Sequence, residues 1–194
     1  MADLEVLRDL FVRNIDWNFQ TALKVAGDEQ DVFSSPSILE ELKLTGVADY
    51  LDRHLQGEIS ACTINFSGPV SGAACLLIPK ASCEKILKVM YGDGLETTGD
   101  IDWLPDAVCE FSNRVLSSVV GAMANSFGFA LKFESPNYSD SKIETITQLP
   151  KSLTADYVTL VSKKYKFEKL QLDGEVVLFF ESKLSPLAAL AWRA

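Results

Sequence analysis

Residues 59–79, ISACTINFSGPVSGAACLLIP, decide how the chain is organised. Two apolar runs flank Gly68, Pro69 and Gly72, residue types that reverse a chain, so the stretch predicts two strands joined as a hairpin. Upstream, Leu4, Leu7, Phe11, Ile15, Phe19 and Leu23 recur at helical spacing and predict a helix over residues 3–26, ended by Gly27. A Ser-Ser-Pro-Ser turn at 34–37 and a helix within 38–55 fill the interval. Downstream, residues 81–91 (ASCEKILKVMY) predict a helix stopped by the Gly-Asp-Gly at 92–94. A long helix then runs over 103–127 and is closed by Gly128; Pro105 is tolerated because it falls in the first turn.

The last third has strand character. FALKFES at 129–135, KIETITQ at 142–148, DYVTLVSKKYKFEKLQL at 156–172 and EVVLFFES at 175–182 carry it, the last after a turn at Asp173 and Gly174. Helix followed by strands thus occurs twice. That order predicts an α+β fold, with long helices packed on a mostly antiparallel sheet and an internal pseudo-repeat. No linker is long enough to divide residues 1–194 into two domains.

Composition narrows the function. A net charge of −9 argues against duplex nucleic acid or an anionic membrane surface as the main ligand, because both need clustered Lys and Arg. No apolar run approaches the ~20 residues of a membrane span, and the N-terminal MADLEVLRDLF carries acids where a secretory signal carries bases, so a cytoplasmic location is expected. Cys62, Cys75, Cys83 and Cys109 lack metal-ligand or disulfide-framework spacing and are expected as reduced core residues. His54 is the single histidine and is expected to be structural or exposed. There is no phosphate-binding glycine loop and no Ser/His/Asp set, which leaves a small-molecule enzyme without support.

The long helix carries the sharpest chemistry. Asp106, Glu110, Asn113 and Ser117 fall on one of its faces, while Val108, Phe111, Val115, Val119 and Ala122 group on the opposite, core-facing side. Ser117, Gly121 and Ala124 continue the outward line. A glycine inside a helix costs about 0.5–1 kcal/mol relative to alanine, so Gly121 implies close approach by another chain or tight packing within this one.

With Pro136, these residues spell Asp-x3-Glu-x2-Asn-x22-Pro at Asp106, Glu110, Asn113 and Pro136. The pattern resembles the signature of the CheC/CheX/FliY family of bacterial chemotaxis phosphatases. The resemblance extends to NRVLSSVVGAMANSFGF at 113–129 and SGPVSGAACLLIPKASCEKILKVMYGDG at 67–94, and covers roughly 5–27 and 58–182. CheC-like members carry two such sites; the first helix here contains no Glu-x-x-Asn, so the resemblance is to a CheX-like chain with one site. It implies a single CheX-like domain with an insertion at 29–57 and a tail at 183–194.

The implied activity is dephosphorylation of the phospho-aspartate of a CheY-like response regulator. The resemblance assigns Asn113 to orienting the attacking water and Glu110 to pairing with the regulator's active-site lysine. Asp106 and Ser117 join Glu110 in partner contact, Asp106 mainly as a helix-start carboxylate, and Pro136 shapes the turn after the following strand. No cofactor or metal is expected in this chain, since the Mg2+ is the regulator's. CheX-like proteins are typically homodimers joined through their sheets, so a homodimer is expected. The alternative is a non-catalytic module of the same fold that binds receiver domains or acts as a dimeric scaffold.

Overall fold

The structure, a computed structural model, describes residues 4–26, 32–54, 57–91, 104–141, 156–168 and 171–181. Helix α1 (Leu4–Ala26) leads into two short strands, β1 (Val32–Ser34) and β2 (Ile38–Lys43), a 3-10 turn (Leu44–Gly46) and helix α2 (Val47–His54). The hairpin is β3 (Ile59–Ser67) with β4 (Gly72–Pro79), followed by α3 (Lys80–Tyr91). The second half is α4 (Leu104–Phe127), β5 (Lys132–Phe133), β6 (Asn137–Ser139), β7 (Tyr157–Phe167) and β8 (Leu172–Glu181).

The eight strands of the described residues form one sheet in the order β1-β7-β8-β4-β3-β5, with β2 also on β7 and β6 also on β3. The pairings β1–β7, β2–β7, β3–β4, β3–β5, β3–β6, β4–β8 and β7–β8 are all antiparallel. This is the α+β architecture expected, and the pseudo-repeat takes a definite form. After α1, β1 and β2 pair in succession along β7; after α4, β5 and β6 pair in succession along β3. The hairpins β3–β4 and β7–β8 meet at β4–β8, and α1 packs on α4. Each half therefore places its short strands against the other half's hairpin.

Alternation of apolar and polar residues is weak in the central strands because both sheet faces are covered. One face lies under α1, α3 and α4, with Phe11, Ile15, Phe19, Leu76, Phe111, Val115 and Phe180 in its core. The other holds Tyr50 and Leu51 of α2 against Ala73, Cys75, Leu160 and Phe179. Hence GAACLLIP reads as a continuous apolar run.

Two expectations shift. The helix expected within 38–55 divides into strand β2 and helix α2, because Ile38–Lys43 ladders onto Tyr157–Ser162 of β7. Within the segment 29–57, residues 32–54 form two strands, a 3-10 turn and a helix. Asp173 and Gly174 are not a turn: they pair with Lys166 and Tyr165 inside the β7–β8 ladder. Reversal occurs earlier, where Gln171 takes a φ of 49° and its Nε2 donates to the Glu168 carbonyl at 2.7 Å. Gly174 is required there because a Cβ would come within 2.5 Å of the Tyr165 hydroxyl and 2.7 Å of the Leu77 carbonyl. The stops at Gly27 and 92–94, the strand at 142–148 and the tail at 183–194 lie outside the described residues.

Candidate functional site

Helix α4 owes its position to packing. Its buried side chains include Val108, Phe111, Val115, Leu116, Val119, Val120, Met123 and Phe127. Each full burial of that kind is worth about 1.5–3 kcal/mol, against a few tenths for a charge near the helix start. The buried arc is wider than one stripe because the helix touches α1, α3, β3, β4 and β6. Ala122, expected in the core, is half-buried, and Ala124, expected outward, is buried.

Against that arc the polar face is held open. Asp106, Glu110 and Asn113 are exposed and Ser117 is half-buried. Asp106 lies in the first turn, where a carboxylate suits the helix dipole. Among the described residues no Lys or Arg pairs with Glu110, so its carboxylate is available to an incoming cation. The Ser117 hydroxyl donates to Asn113 Oδ1 at 3.1 Å. This bond fixes the amide's rotation: one lone pair of the oxygen is used, while the other lone pair and both N–H groups stay open to a ligand. That coupling escaped sequence reasoning, although the i, i+4 spacing of Asn113 and Ser117 could have suggested it. A Cβ on Gly121 would meet nothing within 4 Å, so packing within the described residues does not require glycine there.

Pro136 stands between β5 and β6, where a residue without an N–H is harmless and its neighbour is driven extended. The strand it introduces places Tyr138 opposite Cys62 on β3, beneath α4. Tyr138 and Ser60 both donate to Asp140 Oδ1, at 2.5 and 2.8 Å. Burial pushes the Tyr138 phenol up to about 12, helped by that carboxylate. Pro136 itself lies in the β5–β6 connection, outside α4.

The first long helix carries a counterpart. Asn14 Oδ1 accepts from Asn18 Nδ2 at 2.7 Å, the same i, i+4 arrangement as Asn113 with Ser117. Three residues before Asn14, however, stands Phe11, fully buried and stacked on Phe127 with ring centroids 5.7 Å apart. The carboxylate of a second pair is absent from α1. His54 is exposed, stacked on Tyr50 and hydrogen-bonded through Nδ1 to the Tyr50 carbonyl. It borders a cavity of 280 Å3 with Glu175 and Lys164, lined by no residue of α4. Among the described residues no group of His, Cys, Asp and Glu could hold a metal ion, and no helix is long and apolar enough to cross a membrane.

The chain thus sets an antiparallel sheet under two long helices, one of which presents a Glu–Asn pair to solvent. Residues 60–156, half of the chain, match the family described as chemotaxis phosphatase CheX, and the chain belongs to that family. Its fold is similar to that of Thermotoga maritima FliY, at 16% identity and a TM-score of 0.66, covering 98% of this chain and 96% of that one. It is also similar to the chemotaxis protein CheX from Desulfovibrio desulfuricans (15% identity, TM-score 0.53, 88% and 97% covered). A third likeness is to a chain of the CheX-CheY-BeF3-Mg2+ complex from Borrelia burgdorferi (9% identity, TM-score 0.60, 89% and 98% covered). Comparison with curated proteins finds no match.

Proposed function

We propose that this chain is a phosphatase that hydrolyses the phospho-aspartate of a CheY-like response regulator, with α4 as the docking and catalytic element. One observation carries the reading: in a chain of the CheX family, Glu110 and Asn113 stand exposed one turn apart, with the Asn113 amide oriented by Ser117. The CheX–CheY complex to which the fold is similar supports a receiver domain as the partner class.

Phosphoryl transfer is catalysed mainly by positioning and charge stabilisation. Asn113 Oδ1 accepts from the attacking water with its free lone pair, and Nδ2 donates to a phosphoryl oxygen. The water is thereby aligned opposite the aspartyl oxygen. Its oxygen joins phosphorus, the bond from phosphorus to the aspartyl carboxylate breaks, and inorganic phosphate leaves with the water's protons. Glu110 pairs with the receiver's lysine, which sets register on α4. Asp106 and Ser117 border that contact, and the open surface over Gly121 extends it. The Mg2+ that neutralises phosphoryl oxygens belongs to the receiver in this scheme. A homodimer, joined through the sheet, completes the proposal; β2 pairs only with β7 among the described strands, and its Ile38 is exposed.

The test is phosphate release from phosphorylated receiver domains. Asn113→Ala should lower turnover about 10²–10³-fold while receiver affinity changes little, since the lost contacts act chiefly in the transition state. Near wild-type turnover in this variant would defeat the assignment. Glu110→Ala should reduce both affinity and turnover, by about tenfold or more in affinity if the lysine pair is desolvated. Receiver binding without turnover by the unaltered chain would favour the scaffold reading instead.

A further inference from the structure

Two of the four cysteines meet directly beneath the Glu110–Asn113 face. Cys62, on β3, is fully buried, and its Sγ lies 3.8 Å from that of Cys109, on α4, which is half-buried. Cys75 and Cys83 are committed elsewhere: Cys75 contacts Thr63 Oγ1 at 3.3 Å and Cys83 donates to the Pro79 carbonyl at 3.7 Å. A disulfide needs about 2.05 Å between sulfurs, so closing the pair takes a shared movement of about 1.8 Å. Local order makes that movement one-sided. Cys62 is held in register by Leu76 of β4 on one side and Tyr138 of β6 on the other, whereas Cys109 sits in the second turn of a helix whose outer face is open.

We propose that Cys62 and Cys109 form a reversible dithiol–disulfide site, closed by a peroxide-class oxidant, whose closure displaces Glu110 and Asn113. Cys109 is the attacking thiol because it is the partly exposed member. The S–H of Cys62 donates to it and draws its pKa below the ordinary thiol value, against the opposing effects of burial and the Asp106 charge. That same bond and burial hold the Cys62 thiol up. In the first step the Cys109 thiolate attacks a peroxide oxygen. The O–O bond breaks, sulfur is oxidised to the sulfenic acid, and hydroxide departs. Cys62 sulfur then attacks the sulfenic sulfur; the S–O bond breaks, and the oxygen leaves as water with the Cys62 proton. Two thiols are oxidised by two electrons as one peroxide is reduced to two waters. External thiols reverse it by exchange. Disulfides of this transient kind are the ones that function in reducing compartments. Cys109 immediately precedes Glu110 and lies one turn before Asn113, so drawing it toward the sheet misplaces both groups.

The consequence for turnover rests on the phosphatase reading; the thiol chemistry does not. The full chain is reduced, desalted, treated with hydrogen peroxide and alkylated. It is then followed by non-reducing peptide mapping, by hydrogen exchange across α4, and by phosphate release from a phosphorylated receiver domain. The expected result is a Cys62–Cys109 linked peptide, altered exchange over residues 104–117, and turnover reduced about tenfold or more, all restored by dithiothreitol. Cys109→Ala and Cys62→Ala should each abolish the link, and Cys109→Ala should keep its turnover after peroxide. A Cys109 that accumulates as sulfinic acid while Cys62 stays alkylatable overturns the site. A link that forms with exchange and turnover unchanged overturns the displacement. If the reduced chain releases no phosphate, the phosphatase reading fails, while mapping and exchange still decide the thiol site.

Discussion

A single hydroxyl sets how Asn113 is presented. Sequence patterning places Glu110 and Asn113 on the outer face of α4, and both are exposed. It does not fix the amide's rotation, which depends on the Ser117 hydroxyl donating to Oδ1 at 3.1 Å. A neutral hydrogen bond is worth about 1 kcal/mol net, roughly a fivefold effect. Ser117→Ala should therefore lower kcat about three- to tenfold with a smaller rise in KM, and Ser117→Thr should restore it. A merely structural role for Ser117 would move the thermal midpoint and leave the kcat-to-KM split untouched, so both are measured. The side chain matters here because turnover in the proposed mechanism depends on alignment.

At the scale of elements, α1 is fastened to the sheet by an ion pair that periodicity does not reveal. Lys163 of β7 is almost fully buried, with Nζ 2.5 Å from Asp16 Oδ1. The same oxygen accepts from the Ser37 amide at 3.0 Å and the Ser37 hydroxyl at 2.6 Å, joining α1, the β1–β2 connection and β7. Asp16→Ala would leave the Lys163 charge buried without a partner. Because Asp16 itself is partly exposed, a loss of about 2–3 kcal/mol in chemical denaturation is expected. Burial pushes the Asp16 carboxyl up, but the hydrogen bonds from Lys163 and Ser37 and the Lys163 charge bring it below its ordinary value. A carboxyl depressed in the folded state contributes its full stabilisation above its unfolded value, near 4, and loses it as pH falls through the folded value. Below about pH 4 the wild-type chain should lose stability more steeply than Asp16→Asn. Equal slopes in an acid titration of unfolding free energy would contradict this.

Across the whole molecule, the two halves are arranged alike but only one carries the Glu–Asn pair. Asn14 and Asn18 repeat the Asn113–Ser117 hydrogen bond, yet Phe11 occupies the position of the carboxylate and packs between Phe127 and Phe180. One substitution cannot supply the second site. Phe11→Glu would place a carboxylate in the core between the helices and the sheet, costing about 3 kcal/mol or more from lost packing and desolvation. The expected outcome is a lower unfolding midpoint and still one receiver bound per chain by titration calorimetry. Two receivers per chain with stability retained would show that α1 can adopt the role of α4. On the proposed reading, a second site on α1 is opposed by the core as well as by a missing acid.

The sequence by itself determined what depends on near neighbours and period: the two long helices, the hairpin at 59–79, the twice-repeated order, and the polar face with Asp106, Glu110 and Asn113. Helical and strand patterns repeat every few residues, so a short window contains them. Only the tertiary structure decided that β1 and β2 join the ladder of β7, that Asp173 and Gly174 lie within a strand, and that Cys62 reaches Cys109. The first and last of these depend on residues far apart in the chain, and the second on a reversal placed at Gln171 by the β7–β8 ladder. The Tyr165 ring across Gly174 and the β6 strand beside Cys62 have no trace in the local pattern. The first contact needs the β7–β8 hairpin to close, and the second exists only once the two halves have packed against each other.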